Sequence, residues 1–291
     1  MPAAHRDPVD GHATALPATS TGRRGGRPLS LFEQAPASHR WFSSDSAEDE
    51  GKPAIVALPF AGGGASFYGR WKLGLPGGVG LICPQPPGRE TRLDEPALTS
   101  MEEFVSALAD VLKERLAGHE YVLFGHSLGA MTAFELAKAL RVRGLPEPAH
   151  LFVSGANPPQ MWPLRGELHT LPHSGLADYL RSFDYMPEEI LTSHNFIEYG
   201  MPTLRGDLQV CCTYTPSPGR LSCPVSVFYG DDDDAVDARR LPDWADWTSG
   251  PCRTLSFSGG HFYLDAQMSL VRDHVLTVFE GIDGSAGIEV P

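Results

Sequence analysis

The 291-residue chain has no apolar run approaching the ~20 residues that cross a bilayer. Its opening stretch, MPAAHRDPVDGHATALPATS, lacks an apolar signal core, and Arg23-Arg24 runs into Gly-Gly-Arg-Pro rather than a hydrophobic segment. A cytoplasmic protein is therefore expected. Positive charge is scarce: 23 Lys+Arg against 36 Asp+Glu give a net charge of −13. This argues against a basic face for nucleic acid and against electrostatic docking on anionic lipid. Cysteine is scarce too. Cys83, Cys211, Cys212, Cys223 and Cys252 are odd in number and contain no CxxC pair. Such usage argues against a disulfide framework or a zinc site and predicts reduced, mostly buried thiols. There is no internal repeat.

What is present is a rhythm. Residues 1–38 are rich in Pro, Gly, Ala, Ser and Thr without periodicity and read as a disordered tail. A single domain over 39–285 and a short tail over 286–291 follow. Within the domain, AIVALPF (54–60), VGLICPQ (79–85), YVLFG (121–125), HLFVSG (150–155), VSVFYG (225–230) and RTLSFSG (253–259) are candidate strands. Between them lie helical patterns. SMEEFVSALADVLKERLAG opens on Ser100 and Glu103, a capping box, and stops at Gly118. AMTAFELAKALRVRG spaces Phe134, Ala137 and Leu140 on one face and stops at Gly144. Strand–helix alternation predicts an α/β fold with a mostly parallel, doubly covered sheet. The rhythm breaks over 157–220, where helical patterns occur without strands; this insertion reads either as a lid over the sheet's carboxyl edge or as extra packing helices.

Gly125-His126-Ser127-Leu128-Gly129 sits between a strand and a helix as G-x-S-x-G. A turn from strand into helix that tight tolerates no side chain two residues before or after the serine, and it lifts the hydroxyl above the sheet. Ser127 is the expected nucleophile, with the following helix expected to start just past Gly129. A serine needs a base, and the base needs an orienting carboxylate. In this strand–turn–helix arrangement the chain order is Ser, acid, His, each on a loop after a strand. Of the eleven histidines, His126 reads as local packing, and His169, His173 and His194 precede any suitable acid. His261, in a Gly-Gly-His-Phe turn after the last strand, has the right order and becomes the expected base.

The acid must come from YGDDDDAVD (229–237), which follows the preceding strand. A calcium loop would need D-x-D-x-D-G and a late Glu, which are absent. Four adjacent carboxylates cannot all be buried, so one inward and three outward is expected. Residue chemistry alone does not select which one.

LPFAGGGASFY (58–68), QPPGRETRLDEP (85–96), FGHSLGAMTAFELAKAL (124–140), YGDDDDAV (229–236) and FSGGHFYL (257–264) together resemble the type II thioesterases. These are stand-alone α/β-hydrolases that accompany polyketide and non-ribosomal peptide synthetases. The likeness runs from about Trp41 to Phe279, and PGRE-x-R and GGHF set it apart from generic esterases, which share only the serine turn. The resemblance implies the α/β-hydrolase fold and places the catalytic carboxylate at Asp233. Asp234 stands where the family usually has proline, and Asp231 and Asp234 are the alternatives. It further implies backbone oxyanion donors at Ala61 and Leu128, with Phe60 where relatives usually have histidine. The implied substrate is an acyl or peptidyl group on the phosphopantetheine arm of a carrier protein, hydrolysed to clear misprimed or stalled synthases by a monomeric enzyme without metal or organic cofactor. A chain-releasing or cyclising thioesterase and a non-catalytic binding module are the rival readings; the intact Ser–Asp–His order argues against the second. Arg70, Lys72, Arg89, Arg92, Arg165, Arg181 and Arg205 are candidate carrier contacts. Met161, Trp162, Phe183, Tyr185 and Met186 either line an acyl pocket or form the insertion's own core.

Overall fold

The structure, a computed structural model, describes residues 40–42, 51–162 and 166–279; the tails expected at 1–38 and 286–291 lie outside them. Six strands form: β1 (Ala54–Leu58), β2 (Gly80–Ile82), β3 (Tyr121–His126), β4 (His150–Ser154), β5 (Val225–Gly230) and β6 (Cys252–Phe257). They build one sheet in the order β2-β1-β3-β4-β5-β6, every pair parallel. The five residues of β1 are all buried, and alternate side chains serve opposite faces. Ile55 and Ala57 join Val122, Phe124, Tyr68, Trp71 and Val271 on one side; Val56 and Leu58 join Leu123, Phe104, Leu108 and Phe134 on the other. Each such large side chain contributes ~1.5–3 kcal/mol when fully buried.

Two long helices cover the second face. In α1 (Met101–Leu116) Ser100 caps the start, its hydroxyl accepting the Glu103 N–H at 3.2 Å. Glu102 and Glu103 at the first turn and Lys113 and Arg115 at the last complement the helix dipole. Helix α2 (Leu128–Val142) begins directly after Ser127, sooner than the glycine spacing suggests, so Gly129 falls inside its first turn.

Between β4 and β5 the described residues hold helices and no strand: α3 (His173–Arg181), a turn at Glu188–Leu191, and α4 (Met201–Thr213). Leu176, Met201, Leu204 and Leu208 form a small core of their own there. The return of this segment is fixed to α2, where buried Glu135 accepts hydrogen bonds from Lys138 (2.9 Å), the Tyr214 hydroxyl (2.6 Å) and the Ser217 amide (3.1 Å). Helix α5 (Met268–Leu276) closes the first face through Val271 and Val275. All five cysteines are free, with Cys211 and Cys223 buried. Among the described residues no helix is long and apolar enough to cross a membrane.

The strand order reverses at β1, which has β2 on one side and β3 on the other. In open parallel sheets a crevice opens at the carboxyl ends of the strands flanking such a reversal. The loop after β1 and the turn after β3, which carry Ala61 and Ser127, therefore share that crevice.

Candidate active site

Ser127 has φ 55° and ψ −118°, a left-handed backbone rare for a residue with a side chain. Its amide donates to the Ser154 carbonyl at 2.8 Å, anchoring the turn to the end of β4. The flanking glycines are there for space. A Cβ on Gly125 would lie against the Gly129 carbonyl, and one on Gly129 against the Leu58 carbonyl and, at 2.7 Å, that of Pro59. The serine turn is thus pressed against the end of β1, where the Phe60–Gly64 loop begins. Leu128 is the first residue of α2, so its N–H has no intrahelical acceptor.

On the other side, the loops after β5 and β6 are joined through their backbones. Asp231 N–H donates to the Phe257 carbonyl (2.9 Å), Asp232 N–H to that of Gly259 (3.0 Å), and Gly259 N–H to the Asp231 carboxylate (2.8 Å). Of the four aspartates only Asp233 is buried. Its Oδ2 lies 2.8 Å from His261 Nδ1, and its Oδ1 accepts the Ala235 N–H at 3.0 Å. Asp231 is spent on Gly259, while Asp232 and Asp234 face solvent. The His261 ring lies 4.9 Å from that of His126, the residue before Ser127, and 5.1 Å from Phe183. Among the described residues no hydrogen bond joins Ser127 Oγ to His261, a contact that commonly tightens only with substrate bound.

His126 lies beneath this ring. It is fully buried, and its Nδ1 is 2.8 Å from Ser154 Oγ, which in turn is 2.6 Å from the Tyr263 hydroxyl. Burial first, then the neighbouring His261, hold its pKa well below the ordinary value, so it stays neutral. Burial likewise pushes the Tyr263 hydroxyl upward.

A cavity of about 360 Å³ opens beside Ala61, lined by Phe60, Phe67, Tyr185, Met186, Leu204 and Phe262 among others. Phe60 meets Phe67 and Phe262 edge-on at 4.9 and 5.1 Å, and Tyr185 stacks on Phe262 at 3.9 Å. The five apolar residues grouped by sequence separate here. Tyr185 and Met186 line the cavity, Phe183 packs on His261, Trp162 is buried against Tyr214, and Met161 is exposed. Among the described residues no three His, Cys, Asp or Glu side chains converge to hold a metal ion.

Arg89 and Arg92, candidates for a carrier contact, are neither such contacts nor surface charges. Both are buried: Arg92 is fixed to Glu95 and the Gln85 carbonyl, Arg89 to Asp207 and the Gly63 carbonyl. Arg205 is turned toward the backbone of His169 and Leu171. Arg70 and Arg181 are on the surface, paired with Asp265 and with Asp178 and Glu188, and Arg165 lies outside the described residues. The loop after β1 also runs directly into a one-turn helix, Ser66–Gly69.

Residues 53–280 match the model of the thioesterase domain family. The chain belongs to the thioesterase family. It is 34% identical over 227 residues to thioesterase PikA5 of Streptomyces venezuelae, covering 76% of this chain and 80% of that one. It is 32% identical to the gramicidin S biosynthesis protein GrsT of Aneurinibacillus migulanus, covering 78% and 88%. The solved type II thioesterase BorB, from the borrelidin biosynthetic cluster, superposes with a TM-score of 0.72 at 32% identity, covering 78% and 93%. The fold is that of the α/β-hydrolases, and this thioesterase is a hydrolase of thioester bonds.

Sequence reasoning passed over Asp207, the buried partner of Arg89. Asp207 falls within the run Thr203, Leu204, Leu208 and Cys211, all buried on one face of α4. A carboxylate on an apolar helical stripe must have a partner, and that conflict was the available signal.

Proposed function

We propose that the protein hydrolyses acyl thioesters held on the phosphopantetheine arm of carrier proteins, clearing misprimed or stalled polyketide or peptide synthases in the cytoplasm. The observation that carries this reading is the buried 2.8 Å contact between His261 Nδ1 and Asp233, on loops that flank the strained Ser127 turn. Ser127 Oγ attacks the thioester carbonyl carbon while His261 Nε2 takes its proton, and Asp233 holds the imidazole and the charge it gains. The N–H groups of Ala61 and Leu128 donate to the oxyanion; one such donor is typically worth ~10²–10³ in rate. The C–S bond breaks, His261 returns the proton to the departing thiolate, and acyl-Ser127 remains. Water then gives its proton to His261 and attacks the ester; the acid leaves and Ser127 recovers its hydrogen.

The cavity beside Ala61 receives the acyl group, and the helical segment between β4 and β5 is its lid, since Leu180, Tyr185, Met186, Phe196 and Leu204 all belong to that segment. The first test is mass spectrometry of acetyl- and propionyl-loaded carrier proteins incubated with wild type and with Ser127→Ala. Loss of the acyl group with wild type alone supports editing. Retention of both acyl groups, with Ser127 still labelled by a fluorophosphonate, replaces editing by release of a finished chain.

A further inference from the structure

Arg89 and Asp207 form the most enclosed ion pair among the described residues, with side chains 6% and 0% exposed. The pair is bidentate: Nη1 lies 2.7 Å from Oδ2 and Nη2 2.8 Å from Oδ1. Replacing a buried pair by well-packed apolar residues is often neutral or stabilising. Stability is therefore a poor account of this one, and its remaining bonds point elsewhere. Asp207 Oδ2 also accepts the Gly62 N–H at 2.7 Å, and Arg89 Nη1 also donates to the Gly63 carbonyl at 3.0 Å. Both ends of the pair grip the loop that carries Ala61.

The grip bears on one peptide in particular. Gly63 N–H donates to the Phe60 carbonyl at 2.9 Å, closing a four-residue turn whose third residue, Gly62, has φ 76°. That is the type II geometry, which demands a left-handed third residue. The Phe60–Ala61 peptide is planar and trans, so a carbonyl held by Gly63 points the Ala61 N–H the opposite way. Among the described residues this N–H has no acceptor in the protein. Its direction is set by the turn, and the turn is held by Arg89 and Asp207. The 85–90 segment adds two further ties: Gln85 Oε1 accepts the Ala65 N–H at 3.1 Å, and Glu90 accepts the Ser66 hydroxyl at 2.6 Å.

We propose that the Arg89–Asp207 pair is a positioning device that aims the Ala61 N–H at the oxyanion, reaching it from helix α4. This rests on the reading of Ala61 as an oxyanion donor. Asp207 lies in the segment between β4 and β5, so that segment and the loop after β1 hold their positions jointly.

Two neutral double variants separate this from a packing role. Arg89→Met/Asp207→Asn keeps a carbonyl acceptor for Gly62, whereas Arg89→Met/Asp207→Leu removes it. Thioester hydrolysis is measured for each, with active sites titrated by fluorophosphonate so that misfolded protein is not counted. The leucine variant is expected to have kcat about 10–100-fold below the asparagine variant, with KM within about 3-fold and an unchanged pH profile. Wild-type kcat per titrated site in both overturns the proposal, while an equal fall in both assigns the aim to Arg89 and its hold on the Gly63 carbonyl. Should the leucine variant not fold, Arg89→Lys carries the test, since one ammonium cannot serve two carboxylate oxygens and the Gly63 carbonyl in the same fork geometry. A ~10-fold fall in its kcat per site supports the device, and wild-type kcat overturns it. A wild type that neither labels at Ser127 nor hydrolyses thioesters instead defeats the functional reading, and the positioning role falls with it.

Discussion

The loops on the two sides of Ser127 are secured in different ways. The loops after β5 and β6 hold Asp233 against His261 through backbone hydrogen bonds between neighbouring strands of one sheet. The loop after β1 is held by side chains from outside the sheet, Gln85, Arg89 and Glu90 on one segment and Asp207 on α4. A backbone ladder fixes position whatever the side chains, while a side-chain clamp depends on particular residues far apart in the chain. The side that carries Asp233 and His261 is thus built into the sheet, and the side that carries Ala61 is tied to the helical segment.

The comparison breaks most completely at the residue common to both sides. Ser127→Ala is expected to lower kcat by ~10⁴–10⁶-fold and to abolish fluorophosphonate labelling, read by intact-protein mass spectrometry. On the acid–base side, Asp233→Asn should cost ~10³–10⁴-fold in kcat by holding the wrong imidazole tautomer, while Asp234→Asn stays within ~3-fold. Equal losses at Asp233 and Asp234 would remove Asp233 from its assigned role. On the oxyanion side, Gly62→Ala forces a left-handed alanine, with an expected ~10-fold loss in kcat and about 1–2 kcal/mol of stability in urea titration.

The smallest effect lies at the opposite edge of the sheet. His150 begins β4, stacked on Phe152 at 4.3 Å and 2.8 Å from Ser226 Oγ. Burial, then Arg253, pushes its pKa down to about 4 from the ordinary 6.5. The unfolded chain takes up a proton near pH 6.5 that the folded chain refuses, so this group's stability is present above that pH and lost as pH falls toward 4. Wild type should therefore lose about 2–4 °C more in Tm than His150→Gln between pH 7 and 5, by calorimetry. Identical slopes would exclude His150 as the source.

Five of the six strands were legible in the sequence because each is a short, nearly continuous apolar run, as a strand covered on both faces must be; β6, CRTLSF at the sheet's edge, showed itself instead by alternating polar and apolar residues. The serine turn was legible because its geometry admits glycine alone at two fixed positions. The inward aspartate was legible only through the family resemblance, which named Asp233: four identical residues carry no periodicity, and the ladder to Gly259 that turns Asp233 inward is long-range. Arg89 misled for a related reason. A charge beside a turn reads as solvated unless its partner is known, and Asp207 lies far along the chain, in a different element.

The all-parallel sheet also shapes how the molecule comes into being. With no hairpin among its strand pairs, no strand can pair with its successor before the connecting segment has folded or looped out, so pairing must wait on slow loop closures. A chain emerging N-terminus first carries Ser127 well before Asp233 and His261 exist. Growing chains that have not reached residue 261 therefore hold Ser127 without the Asp233–His261 pair beside it.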